Sequence, residues 1–186
     1  MSKLILIPTP IGNLGDITLR SVESIESVDI LLCEDTRRSL KLLNHLNIKK
    51  TLKSYHKFNE HSIVEKIVNQ IESGLKVGLI SDAGTPSISD PGFLIVKMCI
   101  DNNIEVECLP GPTALIPALV ISGLPTERFT FEGFLPVKKG RKTRLVDLST
   151  EKRTMVFYES PYKLYKTLCD FKIYFGGDRE ISITKE

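Results

Sequence analysis

Apolar residues in this chain recur in two alternating ways. One is the short unbroken run: Leu4-Ile5-Leu6-Ile7, Ile30-Leu31-Leu32-Cys33 after Asp29, and Val77-Gly78-Leu79-Ile80. Residues 51–55 form a weaker run, and residues 104–109 a mixed one. Runs of this length, closed by Gly, Pro or Asp, predict buried strands. Between them, apolar residues return every third or fourth position. Leu19, Val22, Ile25 and Val28 mark one helix, with Thr18 placed as its N-cap. Residues 36–46 read as a second helix, Ile63, Ile67 and Ile71 as a third ending near Gly74, and residues 93–101 as a fourth. Strands alternating with helices in this way predict a parallel sheet with helices on both faces.

The pattern breaks at Ser122-Gly123-Leu124-Pro125-Thr126. Beyond it the chain predicts a strand at 129–133, a basic loop or helix at 138–148, a strand at 154–158 and a helix at 161–171. Two short strands, 173–175 and 181–184, close the sequence. The expected organisation is an α/β chain of two domains. Residues 1–121 form an N-terminal α/β domain with a mostly parallel sheet, 122–127 a linker, and 128–186 a smaller α/β domain that reads as incomplete.

Composition narrows the class without changing it. Hydrophobic residues make up 41% and charged residues 26%, an ordinary balance for a globular chain. No apolar run approaches the ~20 residues that cross a bilayer, and Met1-Ser2-Lys3 leads into the first strand without a leader pattern. The expectation is a cytoplasmic protein with no membrane attachment. The four cysteines stand far apart, and His56 and His61 have no cysteine nearby, so neither disulfide nor metal site is expected. Net charge is +2 but unevenly spread, −2 over residues 1–117 and +4 over 118–186. Lys138, Lys139, Arg141, Lys142 and Arg144 concentrate it in one stretch, a local patch suited to phosphate.

The candidate chemistry lies in the loops that end the strands. Residues 8–16, 81–92 and 110–113 are rich in Gly and Pro, yet none reads G-x-G-x-x-G or G-x-x-x-x-G-K-[ST]. The common dinucleotide and P-loop fingerprints are therefore absent. The stretch 81–92 holds two Gly, two Pro, two Asp and three Ser, more turn-forming residues than a plain turn needs. It reads as a ligand loop. In Pro110-Gly111-Pro112-Thr113-Ala114, Gly111 allows close approach, and Thr113 either faces a ligand at a helix start or merely caps a rigid connector. Glu34-Asp35-Thr36-Arg37-Arg38 has two readings as well. It is a polar cluster with Arg37 or Arg38 on a phosphate, or a helix start whose acids complement the dipole. His56 offers a group that titrates near neutral pH, while Asn59 beside it could simply cap the next helix.

Taken together, 8–16, Glu34-Asp35-Thr36-Arg37, 81–92, Leu109-Pro110-Gly111-Pro112 and Glu132-Gly133-Phe134-Leu135-Pro136 resemble the ribosomal RNA small subunit methyltransferase I family. The resemblance runs in order over nearly the whole chain. It implies a fold of the tetrapyrrole methylase type, two α/β domains with S-adenosylmethionine held in the cleft between them. It implies 2′-O-methylation of a cytidine ribose in 16S ribosomal RNA of the 30S subunit, and a homodimer. It also implies a longer chain, with the second domain truncated here. Cofactor contacts would fall on Pro10, on Gly84, Thr85, Pro86, Ser87, Ile88 and Ser89, on Thr113 and Ala114, and on Phe134 and Leu135. Arg37, Arg38, His56, Asn59, Glu60, Lys138, Lys139 and Arg141 would face the RNA. Asp35 and then Glu34 are the first candidates for a general base, since both end a buried strand. The competing expectations are a small-molecule methylase of the tetrapyrrole type and a cofactor- or RNA-binding fragment without turnover.

Overall fold

The computed structural model describes residues 2–185 and divides into two compact units, Met1–Ala114 and Leu115–Glu186. The first contains five strands: β1 (Leu4–Leu6), β2 (Ile30–Cys33), β3 (Leu52–Ser54), β4 (Val77–Leu79) and β5 (Val106–Cys108). They form one sheet in the order β3-β2-β4-β1-β5, every pair parallel. Four helices connect them: α1 (Leu19–Ser27), α2 (Thr36–His45), α3 (Glu60–Glu72) and α4 (Phe93–Asp101).

Side chains of a strand alternate between faces, and in β1 this decides where each helix docks. Leu4 and Leu6 point into a core completed by Val64, Ile67, Val68 and Ile71 of α3 and by Ile95 and Cys99 of α4. Ile5 and Ile7 point the other way, onto Ile25 of α1, Val28 and Leu43 of α2. Each of these buried aliphatic side chains contributes about 1.5–3 kcal/mol. Both faces are covered, so β1, β2 and β4 carry no polar alternation and appear in sequence as solid apolar runs, while Lys53 and Glu107 interrupt the edge strands β3 and β5. Gly78 sits in the middle of β4 because its place is already occupied. A Cβ there would lie 2.9 Å from Leu31 Cδ1 and 3.1 Å from Ile7 Cδ1.

The caps follow local chemistry. Thr18 accepts the Ser21 N–H and starts α1, as its sequence predicts. Leu19 departs from the predicted face, being 83% exposed, while Ile25 and Val28 are buried. Asn59 occupies the N-cap position of α3 without capping it. Its Oδ1 accepts the His56 N–H at 2.8 Å and its Nδ2 donates to the Ser54 carbonyl at 3.1 Å, so it pins the preceding turn instead.

The second unit contains α5 (Leu115–Ile121), β6 (Phe129–Phe134), α6 (Arg141–Leu148), β7 (Thr154–Tyr158) and α7 (Leu164–Phe175). β6 and β7 pair in parallel, with an irregularity between Phe131 and Gly133. The strand expected at 173–175 is instead the last turn of α7, and residues 181–184 form no strand. Leu164, Leu168, Phe171 and Phe175 keep the helical period, and stacking of Phe171 on Phe175 and against Phe157 fixes it. Helical packing thus overrides the β preference of Ile173, which is 74% exposed.

Candidate active site

All five strands are parallel, so their carboxyl ends share one edge of the sheet. β1 and β4 are neighbours, yet the chain leaves β1 through α1 on one face and leaves β4 through α4 on the other. Such a switch point opens a crevice at the strand ends, the usual ligand position in open α/β sheets. The two Gly/Pro-rich loops meet there. Thr9 and Gly84 exchange both backbone hydrogen bonds at 3.0 Å. The Thr9 hydroxyl donates to the Ser81 carbonyl at 3.1 Å, and the Ser81 hydroxyl to the Gly84 carbonyl at 3.0 Å. The loop after β5 joins them, with the Thr85 hydroxyl donating to the Pro112 carbonyl at 3.1 Å.

Glycine is required twice in this knot. Gly84 has φ +86, and a Cβ there would stand 3.3 Å from Ile11 Cγ2. At Gly111 a Cβ would meet Pro8 Cβ at 2.6 Å. Further along the loop, Ser87 and Ser89 hold φ of +71 and +66. Left-handed backbone at non-glycine residues costs of order 1–3 kcal/mol each and gathers at ligand clamps. The Ser87 hydroxyl is also buried with no hydrogen-bond partner among the described residues. Strained backbone and an unsatisfied hydroxyl on one loop fit a ligand more readily than a plain connection.

The loop after β2 lies against the loop after β4. Asp35 caps α2, accepting the Arg37 N–H at 2.9 Å, and its carboxylate also takes Arg37 Nε at 3.1 Å and Nη2 at 2.8 Å. The Arg37 side chain and backbone together hold the Asp35 carboxyl well below the usual range. The Asp35 N–H in turn donates to Asp82 Oδ1 at 3.2 Å, and Arg38 pairs with Asp82 Oδ2 at 3.2 Å. Asp90 has the opposite fate. Burial, then the negative charges of Glu34 and Asp82, push it up to about 6, with Lys57 pulling it down. After β3, the His56 Nδ1 is buried without a partner among the described residues, and Glu60 opens α3.

The sequence-based candidates therefore separate by location. Pro10, Gly84, Thr85, Pro86, Ser87, Ile88, Ser89, Thr113 and Ala114 all lie on the loops after β1, β4 and β5. Glu34, Asp35, Arg37, Arg38, His56, Asn59 and Glu60 follow β2 and β3 at the same sheet edge. The remaining candidates belong to the second unit. Phe134 ends β6 and is 59% exposed, whereas Leu135 is buried. They line a groove of about 500 Å³ together with Glu132, Pro136, Thr143 and Arg144. Lys138 and Lys139 are exposed. Arg141 is turned inward. It donates to Asp170 at 2.8 Å and to the Thr167 hydroxyl at 2.7 Å, and Thr167 donates onward to Glu159 at 2.6 Å. Thr9, Asp82 and Asp90 were not singled out by sequence reasoning. Asp82 and Asp90 sit inside the polar-rich 81–92 stretch, but their neighbours come from strands whose order the sequence does not spell.

Comparison with known proteins adds a second line of observation. Residues 3–186 match the model of the Tetrapyrrole (Corrin/Porphyrin) Methylases. The chain is 47% identical over 184 residues to a Vibrio cholerae protein named ribosomal RNA small subunit methyltransferase I, covering 98% of this chain and 64% of that one. It is 47% identical to a Thermotoga maritima protein of the same name, covering 100% of this chain and 83% of that one. Among solved structures it is similar to the uroporphyrin-III C-methyl transferase from Thermus thermophilus complexed with S-adenyl homocysteine. The TM-score is 0.62 at 19% identity, over 95% of this chain and 78% of that one. No helix among the described residues is long and apolar enough to cross a membrane.

Proposed function

We propose a function from one premise: the chain belongs to the tetrapyrrole methylase family and, within it, to the ribosomal RNA small subunit methyltransferase I family. The function is methyl transfer from S-adenosylmethionine to the 2′-hydroxyl of a cytidine ribose in 16S ribosomal RNA. The observation that carries it is the knot at the switch point, where Thr9 and Gly84 lock the loops after β1 and β4 together. The relatives' shared name supports RNA over a tetrapyrrole as acceptor. The reading includes the 30S subunit as partner, a homodimer as assembly and the cytoplasm as location.

The residues present fit the cofactor. Gly84 and Gly111 let the loops after β1, β4 and β5 close on one another, against Ile11 and Pro8, and the Ser87 hydroxyl lacks a partner among the described residues. Backbone groups of 84–89, with Pro10, Thr113 and Ala114, would hold it. Once bound, S-adenosylmethionine supplies a methyl carbon on a positively charged sulfur, open to in-line displacement. The chain's own residues then have three tasks. The rigid loops set distance and angle, which can provide much of the acceleration. Arg37 and Arg38 face solvent at the start of α2, where guanidinium forks suit RNA phosphates. A carboxylate receives the proton of the 2′-hydroxyl, worth roughly 10²–10⁴-fold. Asp35 was the first candidate for that task, but its pairing with Arg37 makes it a weak base. Glu34 keeps its candidacy, and Asp90 joins it because its pKa is closer to working pH.

The test is methyl transfer from labelled S-adenosylmethionine to 30S subunits purified without this modification. Label on the ribose of one 16S cytidine is expected. Cofactor binding with no transfer to RNA would instead support a binding fragment, and label on a tetrapyrrole acceptor a small-molecule methylase.

A further inference from the structure

Arg37 and Arg38 are adjacent in sequence but held in different ways. Arg37 pairs within its own turn, with Asp35. Arg38 reaches across to Asp82, 47 residues from the Asp35 that caps the same helix. The Asp82 carboxylate divides its oxygens between two parts of α2. Oδ1 receives the Asp35 N–H and Oδ2 faces Arg38 Nη1, each at 3.2 Å. Asp82 itself follows Ser81, whose carbonyl is tied to Thr9 and whose hydroxyl is tied to Gly84. One side chain therefore joins the start of α2 to the knot at the switch point.

This pairing is a poor stability device. The Arg38 side chain is 68% exposed, and ion pairs of that exposure contribute little to folding. Its effect is on orientation. An arginine has a long flexible stem, and it carries five N–H donors in a rigid fork. Asp82 Oδ2 meets that fork at Nη1 alone, in an ion pair at 3.2 Å, and the Arg38 side chain has no further ion-pair or hydrogen-bond partner among the described residues, so its other donors stay open.

We infer that Asp82 is a positioning residue for RNA. It holds the Arg38 guanidinium with its free donors presented to a phosphodiester, in fixed relation to the loop after β4. The assignment rests on the RNA methyltransferase reading above. It makes a prediction opposite in sign to simple electrostatics. Removing a carboxylate beside a phosphate site would by charge alone tighten RNA binding. If Asp82 positions Arg38, its loss weakens binding.

The experiment titrates the full chain with a single-stranded, cytidine-containing RNA oligonucleotide over a range of salt, and measures turnover on 30S subunits. Asp82→Asn keeps an acceptor for the Asp35 N–H and removes the charge that holds Arg38. It is expected to weaken oligonucleotide binding about five-fold. The salt slope should become shallower by about 0.7, one phosphate contact on a single strand. KM for the 30S subunit should rise more than kcat falls. Arg38→Ala, on an exposed side chain, should lose the same slope, and adding Asp82→Asn to it should cost nothing further. Tighter or unchanged binding in a folded Asp82→Asn chain overturns the assignment, as do additive losses in the double variant. If Asp82→Asn does not fold, slope retained in Arg38→Ala overturns it equally. If the wild-type chain binds neither RNA, the methyltransferase reading falls first and this assignment with it.

Discussion

Asp35 and Asp90 are carboxylates displaced to opposite sides of their ordinary range. Asp35 is held down by Arg37, and Asp90 is pushed up to about 6 by burial and by Glu34 and Asp82. Between pH of about 4 and 6 the folded chain keeps a proton on Asp90 that the unfolded chain has released. The unfolded state then binds fewer protons, so stability falls as pH rises through that window. Asp90→Asn is neutral at every pH. It should stabilise the chain at pH about 7.5 by on the order of 1 kcal/mol, after discounting for solvent screening of a partly exposed group. At pH about 3.5 the gain should vanish. Thermal melts at the two pH values check this, and an equal gain at both would mean the benefit is packing. Gly84 gives a second test. With φ +86 and Ile11 at 3.3 Å from any added Cβ, Gly84→Val should abolish S-adenosylmethionine binding by calorimetry while leaving the far-UV spectrum near wild type. Unchanged affinity in the folded variant would move the cofactor site elsewhere.

Within the sheet, the same steric logic acts without any ligand. Gly78 lies between Leu31, Ile7 and Val28 on the face covered by α1 and α2. Gly78→Ala should cost about 1–3 kcal/mol by overpacking, read as a lower denaturant midpoint at constant m. No loss would mean that α1 can shift outward. Elements of this kind were legible in advance because β1, β2 and β4 are solid apolar runs and the helices between them keep their own period. Thr18 capping α1 needed only its neighbours in sequence. The failures share a cause in the opposite direction. Residues 173–175 carry a β-branched residue and two aromatics, and only the stacking of Phe175 on Phe171, itself packed against Phe157, decides that they finish a helix. Asn59 is a reasonable cap by sequence, but a closer donor, the His56 N–H, claims its oxygen. Asp82 could not be connected to Asp35 and Arg38 because nothing local states that β2 lies beside β4.

For the chain as a whole, cofactor binding and stability should be linked. A ligand that binds only the native state stabilises it by RT ln(1 + [L]/Kd), about 2.7 kcal/mol at 100-fold saturation. S-adenosylmethionine at millimolar concentration should therefore raise Tm, and no rise would count against the site at the switch point. The order β3-β2-β4-β1-β5 has a different consequence, in time. Leu4 is paired on one side with Val77 and on the other with Val106. The strand made first thus waits for both of its neighbours while most of the first unit is synthesised. Closing such long loops is slow, and the waiting strand, apolar on both faces, is exposed to aggregation or chaperone capture meanwhile. On a ribosome, the Thr9–Gly84 knot is among the last things this half of the molecule can assemble, so a nascent chain halted at Gly74 would hold β1 with neither partner.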